Sequence, residues 1–100
     1  MPIKKSSNKY VIVRSVNAGC FAGEIVSRDG DTVVLKSARR LWYWTGAASL
    51  SQLAMEGSSN PKGCKFPPAV TRQEVLGVCE ILDVTEAGRV SIEGTPVWRA

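Results

Sequence analysis

Arg28-Asp29-Gly30-Asp31 is the clearest turn in the chain, and apolar runs flank it on both sides. Asp-Gly in that setting is a strong hairpin signal, because Gly adopts the positive φ that a tight turn needs at little cost. Whatever fold the chain takes must therefore contain an antiparallel pair centred near Gly30. Upstream, KYVIVRSV (9–16) is β-branched and aromatic, the composition of a strand. Asn17-Ala18-Gly19 offers a turn, and CFAGEIVSR (20–28) resumes extended character. Gly23 inside that run marks a bulge or a close backbone approach. Downstream, TVVLKSARRLWYW (32–44) reads as a long third strand. Alternation sends Val33, Leu35, Ser37, Arg39, Leu41 and Tyr43 to one face. It sends Val34, Lys36, Ala38, Arg40, Trp42 and Trp44 to the other. A three-stranded antiparallel meander over residues 9–44 follows.

Beyond Gly46 the period changes. Ala48, Leu50, Leu53 and Ala54 recur at near-helical spacing, Ser49 is a suitable N-cap and Gly57 a natural stop. SSNPKGCKFPP (58–68) carries three prolines and a glycine, the composition of an irregular connection. Cys64 and Phe66 are apolar enough to pack part of it on the core. EVLGVCEILDV (74–84) reads as a strand, with helix as the competitor. Thr85 offers a cap for a short helix to about Ile92, which Gly88 weakens, and TPVWRA (95–100) closes as a terminal strand. Residues 1–8 are basic and polar without periodicity, a flexible tail. The expectation is one α+β domain over 9–100, mainly an antiparallel sheet with one or two short helices.

Several chemistries are excluded by what is missing. One hundred residues form one domain's worth of core. No apolar run approaches the roughly 20 residues that cross a bilayer, and no apolar segment follows the basic N-terminus as in a secretory signal. The chain has no histidine, which removes Ser-His-Asp and Cys-His nucleophiles and histidine metal sites. Cys20, Cys64 and Cys79 are widely spaced and odd in number, so they read as reduced thiols used as small core hydrophobes. There is no phosphate-binding glycine loop. Glu24 is the one acid flanked by apolar residues, and it has no carboxylate partner in sequence. The expectation is a non-enzymatic protein with no cofactor and no metal.

Charge is uneven. Residues 1–40 carry eight Lys/Arg against three acids, and residues 74–100 carry five acids against two arginines. That pattern suits an anionic partner or a dimer joining basic and acidic halves. Within it, Lys36 to Trp44 concentrates two arginines and three aromatics, with Gln52 close behind on the helix. Arg39, Arg40, Trp42, Tyr43, Trp44, Lys36 and Gln52 form the candidate contact set. Guanidinium beside indole suits a ligand with both a phosphate and a base. The same residues also suit a protein interface, or a core in which the indoles cover the helix and the arginines stack across them.

The chain resembles a family of small proteins of tailed bacteriophages and prophages, described as a domain of unknown function. The resemblance rests on Ala18, Gly19, Phe21, Ala22 and Gly23 of the AG-x-FAG turn, and on Ala38 to Trp44 and Gly46 to Ala54 of the ARR-x-WYW-x-GA-x-SLSQLA core. Cys64 to Pro67 of the CKFP loop complete it. It implies a phage origin and a location in the host cytoplasm, and brings no activity with it. The expected function is a phage accessory protein that blocks or sequesters a host molecule, either a host protein or a small anionic nucleotide messenger, as a homo-oligomer. The alternatives are a nucleic-acid-binding protein using Lys4, Lys5, Lys9 and Arg14 with the arginine pair, and a structural or assembly component of the particle.

Overall fold

The computed structural model describes residues 9–99. The meander is present as β1 (Tyr10–Ser15), β2 (Gly19–Asp29) and β3 (Thr32–Arg40). Its second turn centres on Gly30 at φ 60°. Helix α1 (Leu50–Glu56) starts where the Ser49 hydroxyl accepts the Gln52 N–H at 3.1 Å and stops at Gly57, whose φ is 79°. A single 3-10 turn (Pro61–Gly63) breaks the proline-rich connection, and beyond it Cys64 and Phe66 are buried. Strands β4 (Val70–Val75) and β5 (Val78–Asp83) precede α2 (Glu86–Gly94), which begins with the Thr85 hydroxyl accepting the Gly88 N–H at 3.0 Å.

The strands run β4-β3-β2-β1-β5, every neighbouring pair antiparallel. β4 and β5 thus lie on opposite edges, yet only Leu76 and Gly77 separate them in sequence. So short a link between opposite edges forces the sheet to curl into a partly closed barrel. At the same end the Val78 N–H donates to the Asp31 carbonyl at 2.8 Å. Curling gives the sheet an inside and an outside, and alternation fills both. Val11, Val13, Phe21, Val33, Leu35, Ala38 and Val75 pack inside. Outside, Tyr10, Ile12, Ala22 and Leu41 meet Leu53 and Ala54 of α1, Ile92 of α2, and Cys64 and Phe66. β1 is paired on both sides and covered on both faces: four consecutive residues, Tyr10 to Val13, are buried, which explains its unbroken apolar run.

Four expectations change. β3 ends at Arg40 instead of Trp44, and its alternation shifts phase midway. Glu24 opposes Lys36 while Ala22 opposes Arg39, so Ser37 and Ala38 together face Gly23, with Ser37 at φ 54°. This is a bulge on β3. A Cβ on Gly23 would sit 3.0 Å from the Lys36 carbonyl oxygen, so the close approach expected at Gly23 is real. Arg39 and Leu41 therefore face away from Val33 and Leu35. Residues 74–84 form two strands and not one, because Gly77 at φ 68° turns the chain between them. The terminal strand reduces to one isolated parallel bridge, Phe66 to Val97. Cys79, expected in the core, is exposed, while Cys20 is half-buried and Cys64 buried. The basic tail over 1–8 lies outside the described residues. No helix among them is long and apolar enough to cross a membrane.

Gly88 is a packing requirement for the α1–α2 contact: a Cβ there would overlap the Ala54 carbonyl oxygen. Gly88→Ala should therefore destabilise by about 2–3 kcal/mol despite its higher helix propensity. Gly94→Ala, where nothing lies within 4 Å of the added carbon, should cost nothing. Urea unfolding of the two variants separates packing from propensity; equal effects would show that the approach at Gly88 is not needed.

Candidate binding surface and its support

The bulge at Ser37 decides where the two arginines go. Arg39 turns toward the outer core and is 6% exposed. Its Nε donates to the Pro67 carbonyl at 3.1 Å and its Nη1 to that of Ile92 at 2.6 Å. Its Nη2 donates to the carbonyls of Phe66 at 3.1 Å and Pro96 at 3.2 Å. The guanidinium also lies 5.6 Å from the Phe66 ring centroid. Burial lowers its pKa from the ordinary value, and Tyr10 opposes that shift. Arg40 takes the other face, donating to the Ala18 carbonyl at 2.8 Å with its guanidinium 4.5 Å from the Phe21 ring centroid. The pair does not converge.

The three aromatics also separate. Past Leu41 the chain leaves the sheet, and Trp44 packs against the outer core beside Ala47 and Leu50. Trp42 and Tyr43 stay in solvent, at 57% and 49% exposure. Trp42 stacks on Trp98 with centroids 5.1 Å apart and planes 9° from parallel. Trp98 itself remains 40% exposed. Lys65 completes the group: its Nζ lies 5.6 Å from the Trp42 centroid, 5.7 Å from Tyr43 and 5.6 Å from Trp98. Backbone bonds hold the three segments together, the Lys65 N–H on the Tyr43 carbonyl at 2.7 Å and the Trp98 N–H on the Phe66 carbonyl at 3.0 Å. The result is an exposed aromatic platform carrying one positive charge.

Lys36 and Gln52 lie elsewhere. Gln52 serves α1 itself, accepting the Ala48 N–H at 2.8 Å and donating to Glu56 at 3.3 Å. Lys36 pairs with Glu24 at 3.6 Å, and the other oxygen of Glu24 meets Arg89 at 3.1 Å. Arg89 also binds Glu93 at 3.1 Å, and its guanidinium lies 4.7 Å from the Tyr10 ring centroid. Glu24, the acid singled out in the sequence, is thus held by two cations. The uneven charge of the chain is partly answered internally: Arg14 of β1 pairs with Glu80 of β5 at 2.8 Å, and Lys9, just before β1, with Asp83 of β5 at 3.5 Å. No group of three metal-ligating side chains occurs among the described residues.

Lys65 and Trp98 were absent from the candidate set. Their signal is compositional: Trp98 is one of only three tryptophans, and Lys65 precedes a phenylalanine in the most proline-rich stretch. The chain belongs to a family described as a domain of unknown function, DUF6948, which it matches over residues 8–92. No curated protein and no solved structure matches it.

Tyr10 gives a pH signature. Burial first, then the Glu93 charge, push its phenol from 10.0 up to about 12. A folded-state pKa above the unfolded one means that this contribution is fully present below pH 10 and lost as pH rises towards 12. Tyr43→Phe leaves Tyr10 as the sole tyrosine of the chain. Its tyrosinate absorbance should appear with a midpoint near 12; a midpoint near 10 would contradict the burial.

Proposed function

We propose that this DUF6948 protein is a non-enzymatic binding protein that docks on a host protein through Trp42, Tyr43, Lys65 and Trp98. The observation that carries the reading is the stacked indole pair left 57% and 40% exposed. Large aromatics are enriched where proteins meet and dominate the energy of such contacts. The platform is already organised by backbone hydrogen bonds, so docking immobilises few side chains. The arginines support a protein partner over an anionic nucleotide, because Arg39 and Arg40 point to opposite faces and form no common fork. A phage or prophage origin would make the partner a cytoplasmic host protein, and stoichiometric blocking or sequestration the mode of action. Self-association belongs to the same reading: β4 pairs on one side only, and an open strand edge favours a second copy.

The test compares the wild type with a Trp42→Ala, Trp98→Ala double variant. Each is exposed to bacterial cytosol, the retained protein is identified, and the complex is rebuilt from two pure components. The expected result is a complex of fixed stoichiometry that the double variant weakens by about tenfold or more while staying folded. Equal affinity for both forms would overturn the platform as the contact surface. Capture of nucleic acid instead, with affinity falling steeply as salt rises, would replace the reading by base stacking.

A further inference from the structure

We propose that a cleft on the outer face, separate from the aromatic platform, binds a small monoanion: a carboxylate carried on a short apolar chain. The cleft has a volume of about 300 Å³ and is lined by Tyr10, Ser37, Arg39, Ala69, Glu93 and Val97. At roughly 30 Å³ per water that is room for about ten small atoms or groups, the lower end of ligand cavities.

Three observations point to the ligand. The first is Tyr10, which is 6% exposed and whose hydroxyl makes no hydrogen bond among the described residues. No side-chain polar atom among them is both sealed from solvent and unbonded, so this hydroxyl keeps some access to solvent, and Tyr10 is one of the residues that line the cleft. A phenol is protonated at neutral pH, so this hydroxyl is a donor with no protein acceptor among the described residues.

The second is charge. Arg39 forms no ion pair among the described residues; its partners are four neutral carbonyls, and one of its five N–H groups stays unassigned. Lys36, Arg89, Glu24 and Glu93 form one ion-pair network whose charges cancel, which leaves Arg39, in the cleft wall, as the cation without a carboxylate partner among the described residues. Glu93 is engaged by Arg89, so the acid lining the cleft is already paired. One further negative charge would balance Arg39.

The third is the shape of the wall. Ala69 and Val97 supply an apolar side, and Ser37 brings a hydroxyl on a residue held at φ 54°. Left-handed backbone at a non-glycine residue is costly and gathers at binding sites.

The carboxylate could belong to a free acid or to a peptide C-terminus. Isotope-labelled protein is therefore titrated with hexanoate, with acetyl-Ala-Leu and with neutral hexanol, following the amides of Ser37, Ala69 and Val97 by NMR. The proposal expects saturable shifts from at least one carboxylate and none from hexanol; the tighter of the two acids identifies the source. Tyr10→Phe should weaken binding about tenfold, and Val97→Trp, which fills the cleft, should abolish it. Equal shifts from hexanol, unchanged affinity in a folded Tyr10→Phe, or no saturable shift from either acid would overturn the site. None of these outcomes bears on the platform, whose residues are not in the cleft.

Discussion

One side chain, Arg39, gathers the carbonyl oxygens of Phe66, Pro67, Ile92 and Pro96. Those four residues come from the proline-rich connection, α2 and the C-terminal segment. None of these pieces pairs with β3 as a strand, so the guanidinium does for the outer layer what a ladder does for the sheet. A buried cation costs several kcal/mol unless hydrogen bonds replace its water. Here four carbonyl dipoles make that replacement. The planar fork matters as much as the charge, because lysine has three donors on one atom and cannot span oxygens in several directions.

The platform inherits its geometry from this tie. Lys65 precedes Phe66, and Trp98 follows Pro96 by two residues and donates to the Phe66 carbonyl. Holding Phe66 and Pro96 on one guanidinium therefore brings Lys65 and Trp98 to the same place, against Trp42. The cleft beside Tyr10 shares the support, with Arg39 in one wall and Val97 in another. Surface and cleft both hang on one structural residue. Its burial follows from the Ser37 bulge, without which Arg39 would face the barrel interior together with Val33 and Leu35.

Local signals were legible in the sequence because their causes are local. Gly30 turns the hairpin, Ser49 and Gly57 bound α1, and Thr85 caps α2, each within a few residues of the group it satisfies. The bulge was not legible on β3, since serine has no preference for the positive φ that Ser37 adopts; only Gly23 on the facing strand hinted at it. β4 was hidden because Val70 to Glu74 lie largely in solvent at an edge and lack an apolar pattern. Most of the candidate site was beyond local reading. Arg39 and Arg40 look like a pair in sequence and separate in space, whereas Trp42 and Trp98 look unrelated and stack. Chain separation hides such contacts, and no spacing rule predicts them.

The most direct test of this account is the pair of indole N–H resonances of Trp42 and Trp98 in Arg39→Lys, recorded beside the methyl resonances of Val11, Val13 and Val33. The substitution keeps the charge and loses the fork. The account predicts that both indoles move toward the positions of free, unstacked tryptophan while the interior valines hold theirs, with stability lowered by about 2–4 kcal/mol. Indole resonances and stability both unchanged from the wild type would contradict it, and would mean that the outer layer is held by its apolar contacts alone.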